Sequence, residues 1–279
     1  MNQINERIEN INKIFKTLEL QGVETNTPLL YGYFFFDKNK GKLLKLGDEL
    51  QREGYVIVRL EINEEKEYLL HMEKTETHSR ETLLKRLLEF DELSENSKIE
   101  LFDGWDVGNS DPAKPLISKE RFIKLLENKT NEQLYQFAIE LLENQIYDNS
   151  ILVFDKCIAN NFETENSLYK QFICYDYLGE PEKSISKLKD ILNFNPNHFK
   201  ACYNIGAISY NLEDYETSIV YYEKASDIDN KDDSVYYGIA CSYFCIGELD
   251  KSEENCKISL TLNPQNDNAK ELLKMIKNA

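Results

Sequence analysis

The second half of the chain repeats itself every 34 residues, and this period limits what it can fold into more than any other feature. Registers beginning at Asn131, Glu165, Phe199 and Asp233 put a tyrosine in the fifth column each time: Tyr135, Tyr169, Tyr203 and Tyr237. The twentieth column is always serine: Ser150, Ser184, Ser218 and Ser252. The eighth holds Ala138, Phe172, Gly206 and Ala240, and the twenty-first runs Ile151, Ile185, Ile219 before breaking at Glu253. A fixed period of this size marks stacked supersecondary units. Each unit divides into two helices. In the third, Cys202, Ile205, Ser209 and Leu212 fall on one stripe at helical spacing, Glu213-Asp214 makes a turn, and Ser218, Ile219, Tyr222 and Ala225 form a second stripe. Small residues in the eighth and twentieth columns let two helices cross closely. Pro196 and Pro264 stop the chain from continuing as helix. One such pair cannot bury its apolar face alone, whereas four stacked pairs can.

Tyr236, Ile239, Ala240, Tyr243, Gly247, Ser252 and Pro264 in the fourth unit carry a family pattern. So do Tyr203-Asn204-Ile205-Gly206, Asp214-Tyr215 and Ile219 in the third. This resembles the tetratricopeptide repeat (TPR), a helix–turn–helix family. The first unit departs from it, with Gln145 and Phe162 where glycine and proline are usual. The resemblance implies four repeats, at 131–164, 165–198, 199–232 and 233–266, and a capping helix over Asn268–Ile276 that completes a solenoid from 131 to 279. It also implies a concave groove lined by the fifth, second, ninth, twelfth and thirteenth columns. The candidate partner-binding residues are then Tyr135, Tyr169, Tyr203 and Tyr237 with Lys200, Tyr177, Tyr210, Asn211 and Phe244, beside Ile139 and Ile173. Aromatic rings with hydroxyl tips suit a bound peptide or helix. The same tyrosines also serve packing within an array, and the sequence leaves both roles open. The lysines and asparagines that clamp chaperone C-terminal carboxylates in this family are replaced by tyrosine in the fifth column, so that ligand is not expected.

Before residue 112 the period changes. Ile8, Ile11, Ile14, Phe15 and Leu18 make a helical stripe ended by Gly22, and Leu30–Phe36 reads as a buried strand. Leu43, Leu44, Leu46 and Leu50 give a helix closed by Gly54. Tyr55–Leu60 and Glu67–Glu73 are strands joined by a turn at Asn63-Glu64-Glu65. A helix on Leu83, Leu84, Leu87 and Leu88 leads to a last strand at Ile99–Phe102. The order β-α-β-β-α-β predicts a ferredoxin-like α+β sandwich, two helices on one face of an antiparallel sheet. The entry Gly22…Pro28 into an apolar strand, then Gly54-Tyr55-Val56 and Phe102-Asp103-Gly104-Trp105, resembles RraB, the regulator of ribonuclease E activity B. Gly54, Tyr55, Asp103, Gly104 and Trp105 carry the family motif. The resemblance covers residues 1–112 and implies a module that binds ribonuclease E and lowers its activity, not a catalyst. Within the motif, Gly104 is expected to permit a tight turn and Trp105 to pin the last strand to the core. Residues 113–130 read as a connector with a short helix on Phe122, Leu125 and Leu126. Asn109-Ser110-Asp111-Pro112 forms a turn before it, Ser118 is a candidate cap, and Thr130 with Gln133 is a capping box for the array.

Composition narrows function by exclusion. The formal charge is −17, shared by both halves, with only the connector net positive. Such a field opposes direct nucleic-acid binding and favours a basic or proteinaceous partner. The polar N-terminus lacks a secretory leader, and no apolar run reaches the ~20 residues that span a bilayer. Six cysteines, all after residue 150, are too sparse for a disulfide scaffold and fit a cytoplasmic protein. Cys241 with Cys245, and His198 with Cys202, could each share a helix face, but no further ligands accompany them, and packing or groove lining is the expected role of the cysteines. His71 and His78, around a threonine-rich segment, lack an identifiable nucleophile and orienting carboxylate. No phosphate loop or hydrolase motif occurs. The expectation is therefore a non-enzymatic regulatory protein without cofactor or metal. Its partner would be a ribonuclease restrained through the first domain, with the repeats recruiting a protein. The alternative is a toxin-neutralising (immunity) or assembly adaptor whose groove grips a client such as a basic toxin-like protein.

Overall fold

The alternation of apolar residues in the first hundred positions becomes a four-stranded antiparallel sheet in a computed structural model, which describes residues 2–108 and 119–278. Helix α1 (Asn2–Leu20) precedes β1 (Leu29–Asp37), α2 (Lys40–Arg52), β2 (Val56–Ile62), β3 (Tyr68–Glu76), α3 (Arg80–Ser97) and β4 (Leu101–Gly108). The strands lie in the order β2-β3-β1-β4, the split βαβ arrangement of the ferredoxin-like fold. Along β1, Tyr31, Tyr33 and Phe35 are fully buried, because alternate residues of a strand point to one face. They meet Leu70 and Met72 of β3, Leu43, Leu46 and Leu50 of α2, Leu83, Leu87 and Phe90 of α3, and Ile11, Phe15 and Leu18 of α1 in one core. Ser79 starts α3 with a capping box to Thr82, which satisfies backbone donors that a helix N-terminus otherwise leaves free.

Two sequence expectations need correction here. The last strand runs through Gly108, so Asp103-Gly104-Trp105 lies inside β4 and not beyond it. Gly104 does not form a tight turn. It sits at φ 127 where the β1–β4 register shifts between Phe34 and Phe35, and this β-bulge takes a backbone conformation that favours glycine. Trp105 is 8% exposed within the core, as expected of a residue pinning the strand.

Helix α4 (Lys119–Leu125) follows, with Phe122 and Leu126 buried and Leu125 exposed. The turn at Asn109–Pro112 and the cap at Ser118 lie outside the described residues. The chain divides into compact units at 1–128 and 129–279.

In the second unit helices pair in sequence: α5 (Asn131–Glu143) with α6 (Tyr147–Ala159), α7 (Thr164–Tyr177) with α8 (Pro181–Phe194), α9 (Phe199–Asn211) with α10 (Tyr215–Ile228), and α11 (Asp233–Cys245) with α12 (Leu249–Leu262). Each second helix also packs on the first helix of the next pair, and α13 (Asp267–Asn278) covers the last. Thr130 and Gln133 form both halves of the capping box. The serine column gains a physical explanation. Ser150 and Ser252 Oγ each donate to the carbonyl of the eighth-column residue, Ala138 and Ala240, at 2.8 Å. Ser242 Oγ donates to the Gly238 carbonyl at 2.9 Å, so the proton shared at 2.9 Å with Ser218 comes from Ser218. A buried hydroxyl with a partner thus holds each crossing at close range. Ser184 is the exception. Its Oγ has no partner, and Ile208 stands where Ser242 serves Ser218.

The fifteenth column also has a structural reason. Gln145, Gly179, Glu213 and Gly247 all adopt positive φ, at 63, 70, 63 and 81. Two of the four are therefore non-glycine residues in the left-handed region. Glu213→Gly is expected to raise stability by roughly 0.5–1 kcal/mol, relief of backbone strain outweighing the entropy glycine adds to the unfolded chain. Urea unfolding of the two proteins checks it, and a loss of stability would contradict it.

Candidate interaction sites

Both units bring polar and aromatic side chains together. In the first, Glu76 at the end of β3 is the focus. Its carboxylate is 9% exposed. It accepts from Tyr33 Oη at 2.8 Å and Tyr55 Oη at 3.4 Å, and from Arg86 Nη2 at 3.4 Å. His78 Nε2 lies 3.3 Å away and Lys74 Nζ 3.7 Å. Burial pushes the Glu76 carboxyl up, yet hydrogen bonds from His78 and Tyr33 and the charges of Arg86 and His78 hold it below the usual carboxylate range. Burial also pushes up the phenols of Tyr33 and Tyr55, and the Glu76 charge adds to it. A groove of ≈450 Å³ opens beside it, lined by Glu76, Thr77, His78, Thr82, Lys85, Arg86 and Glu89.

A carboxylate, a histidine and a hydroxyl in line invite comparison with a nucleophilic triad. The bonding argues otherwise. Thr82 Oγ1, 3.3 Å from His78 Nδ1, accepts from Ser79 N at 2.8 Å and donates to the Ser79 carbonyl at 3.2 Å. A hydroxyl committed to a helix cap is not an activated nucleophile. The His78 ring also packs edge-on against Tyr31, with centroids 4.9 Å apart. The cluster therefore joins β1, β3 and α3 as a buried polar network. His71, the other histidine of this unit, stacks on Phe34 at 4.5 Å.

The family-motif residues serve the frame. Gly54 takes φ 90 and closes α2, Tyr55 is buried with its hydroxyl toward Glu76, Asp103 is exposed, and Gly104 and Trp105 occupy the bulge and core described above.

In the second unit all four fifth-column tyrosines are half-buried. Tyr135 packs edge-on against Phe154 at 5.8 Å, and Tyr169 lies 5.3 Å from Phe172. Asn204 of the next repeat donates to the Tyr169 hydroxyl at 3.3 Å. Tyr203 meets Phe199 and, edge-on at 5.5 Å, Tyr222. Tyr237 packs against the cluster of Ala240, Cys256, Leu272 and Ile276, as does Phe244. Tyr210 lies 3.7 Å from Cys245 Sγ, across the boundary between the third and fourth repeats. Tyr177 is 68% exposed and stacked on Tyr147 at 5.2 Å, while Lys200 and Asn211 are exposed. The ladder is thus brought into packing contacts within and between repeats, with hydroxyls and exposed polar residues at its margins. Cys157, Cys174, Cys202 and Cys256 are buried and all six thiols are free. Among the described residues no group of three His, Cys, Asp or Glu side chains is placed to hold a metal ion, and no helix is long and apolar enough to cross a membrane.

Sequence reasoning missed two features. One is Glu76, whose parity along β3 with Leu70 and Met72 was a usable signal for the core face. The other is the bed for Tyr222, discussed below, which Gly206 and Gly238 announce only once the helices are paired.

Comparison with known proteins places this geometry. Residues 8–107 match the family described as regulator of ribonuclease activity B, and residues 199–232 match the tetratricopeptide repeat. The chain therefore carries an RraB domain followed by TPR sequence. A TPR repeat-containing protein of Methanocaldococcus jannaschii is 27% identical over 139 residues, 48% of this chain and 24% of that protein. DnaJ homolog subfamily C member 3 of Gallus gallus is 29% identical over 101 residues, 36% of this chain and 20% of its own length. The chain thus spans about a quarter or less of the curated relatives it matches. A crystal structure of MamA protein superposes with a TM-score of 0.50 at 18% identity, covering 53% of this chain and 81% of that one, a likeness that shows the solenoid fold. Both matching families are regulatory or protein-binding, which supports a protein-interaction role.

Proposed function

We propose that the chain is a non-enzymatic regulator that binds a ribonuclease through its first domain and lowers its turnover, while the repeats recruit a protein partner. The RraB domain at 8–107, fused to repeat sequence, carries this reading. The polar cluster around Glu76 supports it, because its hydroxyl and carboxylate are spent on structure. Functional boundaries would fall at 1–112 for the regulatory domain, 113–130 for the connector and 131–279 for the array. The exposed and half-buried residues Tyr177, Tyr210, Lys200, Asn211 and Phe244 would meet the recruited protein beside the tyrosine ladder. Free thiols at all six cysteines fit action in a reducing cytoplasm. An acidic regulator facing the basic, RNA-binding surface of a nuclease is physically reasonable, since complementary charge speeds encounter and fixes register.

The test is direct. The full chain, added in excess to purified ribonuclease E cleaving a single-stranded RNA, should lower turnover several-fold, and raised salt should weaken the effect. Turnover that stays unchanged at saturating concentration removes the ribonuclease reading and leaves the protein-interaction role of the two domains to be assigned to another client.

A further inference from the structure

The core of the first unit lies on one face of its sheet, where Tyr31, Tyr33, Phe35, Leu70, Met72, Phe102 and Trp105 converge. Strand alternation sends the intervening residues to the opposite face. There the register sets Phe34 beside His71 and Phe36 beside both Leu69 and Leu101. Gly32 lies between Glu73 on β3 and Asp106 on β4. None of Phe34, Phe36 and Leu69 belongs to the core cluster, and Leu101 is 47% exposed.

At the centre of this face Gly32 leaves bare backbone. A Cβ there would stand 2.2 Å from Asp106 Oδ1 and 2.7 Å from His71 Nε2, so the missing side chain is what lets the carboxylate and the imidazole reach over the same spot. His71 Nε2 also faces Glu73 Oε1 at 3.4 Å. Yet this nitrogen, on a residue only 8% exposed, makes no hydrogen bond. A buried ring nitrogen that faces one carboxylate, shares the Gly32 spot with another and makes no hydrogen bond is an unsatisfied polar site. What completes it is a cation with several donors. An arginine guanidinium fits best, being planar, able to pair with carboxylates, and suited to lie against an aromatic plane such as the stacked Phe34–His71 pair.

We infer that this open sheet face docks a basic segment of a partner protein, with an arginine seated among Glu73, Asp106 and His71 and its apolar neighbours on Phe36, Leu69 and Leu101. Charge selects the occupant. The chain carries −17, so an RNA strand or a second copy would meet like charge, whereas a basic segment is attracted. The inference rests on the first domain being a protein-binding module and names the surface it uses.

The test uses the full chain and a fluorescein-labelled synthetic peptide of alternating arginine and leucine, read by fluorescence anisotropy. A glutamate–leucine peptide and a single-stranded RNA serve as comparisons. The arginine peptide should bind and the other two should not. Glu73→Gln/Asp106→Asn should weaken binding about tenfold or more. Gly32→Ala, which leaves the net charge unchanged but displaces the Asp106 carboxylate and His71, should weaken it comparably. Glu216→Gln/Glu223→Gln in the second unit removes the same number of charges and should leave affinity unchanged. Circular dichroism and melting confirm that each variant is folded. Failure of the arginine peptide to bind, equal affinity for the sheet-face variants and the chain itself, or equal binding of the RNA would each overturn the assignment. If the sheet-face variants bind less peptide while the unaltered chain leaves ribonuclease turnover untouched, the surface stands and the ribonuclease reading falls. If the variants bind peptide normally while the chain still slows the nuclease, the reverse holds.

Discussion

Glu76→Ala should lower the unfolding free energy by roughly 3–5 kcal/mol, the cost typical of removing one partner from a buried ionic network. The reason lies in what the carboxylate leaves behind. Lys74, 3.7 Å away, would lose its carboxylate partner, and Arg86, 3.4 Å away, would be left with Glu89 at 3.0 Å. The Tyr33 hydroxyl, buried in the core, would lose its acceptor at 2.8 Å. Glu76→Gln retains an acceptor for Tyr33 but removes the charge, and a smaller loss of about 1–3 kcal/mol is expected. The pH dependence gives a second readout. Glu76 titrates below its ordinary value of 4.5 in the folded chain. A depressed folded pKa contributes stability that is fully present above the unfolded value and is lost as pH falls through the folded one. The unaltered protein should therefore lose stability on acidification below about pH 4.5 in part through this group, and the Gln variant should lack that component. Urea titrations at neutral and acidic pH measure both. An alanine variant as stable as the parent, with the same acid limb, would show that the cluster is not what joins β1, β3 and α3. The same network bears on the proposed docking face, because it fixes the strand whose other face presents His71 and Glu73.

How far the sequence could be read follows from which signals are one-dimensional. The period of 34 residues, the split of each unit at its fifteenth column and the capping box at Thr130 are spacings along the chain, and they reappear in the helices directly. The order of strands and helices before residue 108 was legible for the same reason, since alternation and helical stripes are local. Gly104 was misread because a glycine beside an aspartate suggests a turn, while its actual role depends on the register with Phe34 and Phe35, a pairing between distant segments. Glu76 sits in a charged stretch, Glu73-Lys74-Thr75-Glu76, which reads as solvated strand end. Only its pairing near Tyr33, Tyr55 and Arg86 makes it central. His71 could not be distinguished from an ordinary strand histidine until Gly32 and Asp106 were placed beside it. The tyrosine column was visible at once, but its division between packing and exposure depends on neighbours such as Phe154, Phe199 and Tyr222, drawn from other helices.

Gly238→Ala should destabilise the repeat array by roughly 1–3 kcal/mol, the usual cost of overpacking, although alanine in a helix interior ordinarily gains about 1 kcal/mol over glycine. The sign is reversed by Tyr222. A Cβ at Gly238 would lie 2.5 Å from Tyr222 Cζ, and one at Gly206 would lie 2.9 Å from Tyr222 Cγ. The ring is thus laid across the backbones of α9 and α11, buried to 6% exposure, and it can retreat from neither side. Tyr222→Leu alone should also destabilise, by leaving a cavity where the ring was. Combined with Gly238→Ala it should cost less than the two changes summed, by about 1 kcal/mol or more, since the added methyl then has room. Equilibrium unfolding of the four proteins measures this coupling, and strictly additive losses, or a stabilised Gly238→Ala, would exclude the wedge. Stability in such arrays is built from nearest-neighbour interfaces, so weakening this one uncouples the third repeat from the fourth. Tyr203 leans on Tyr222 at 5.5 Å, and Tyr210 reaches Cys245 across the same boundary. A disturbed wedge therefore shifts the relative placement of Tyr203 and Tyr237, and any partner that reads both tyrosines would lose affinity.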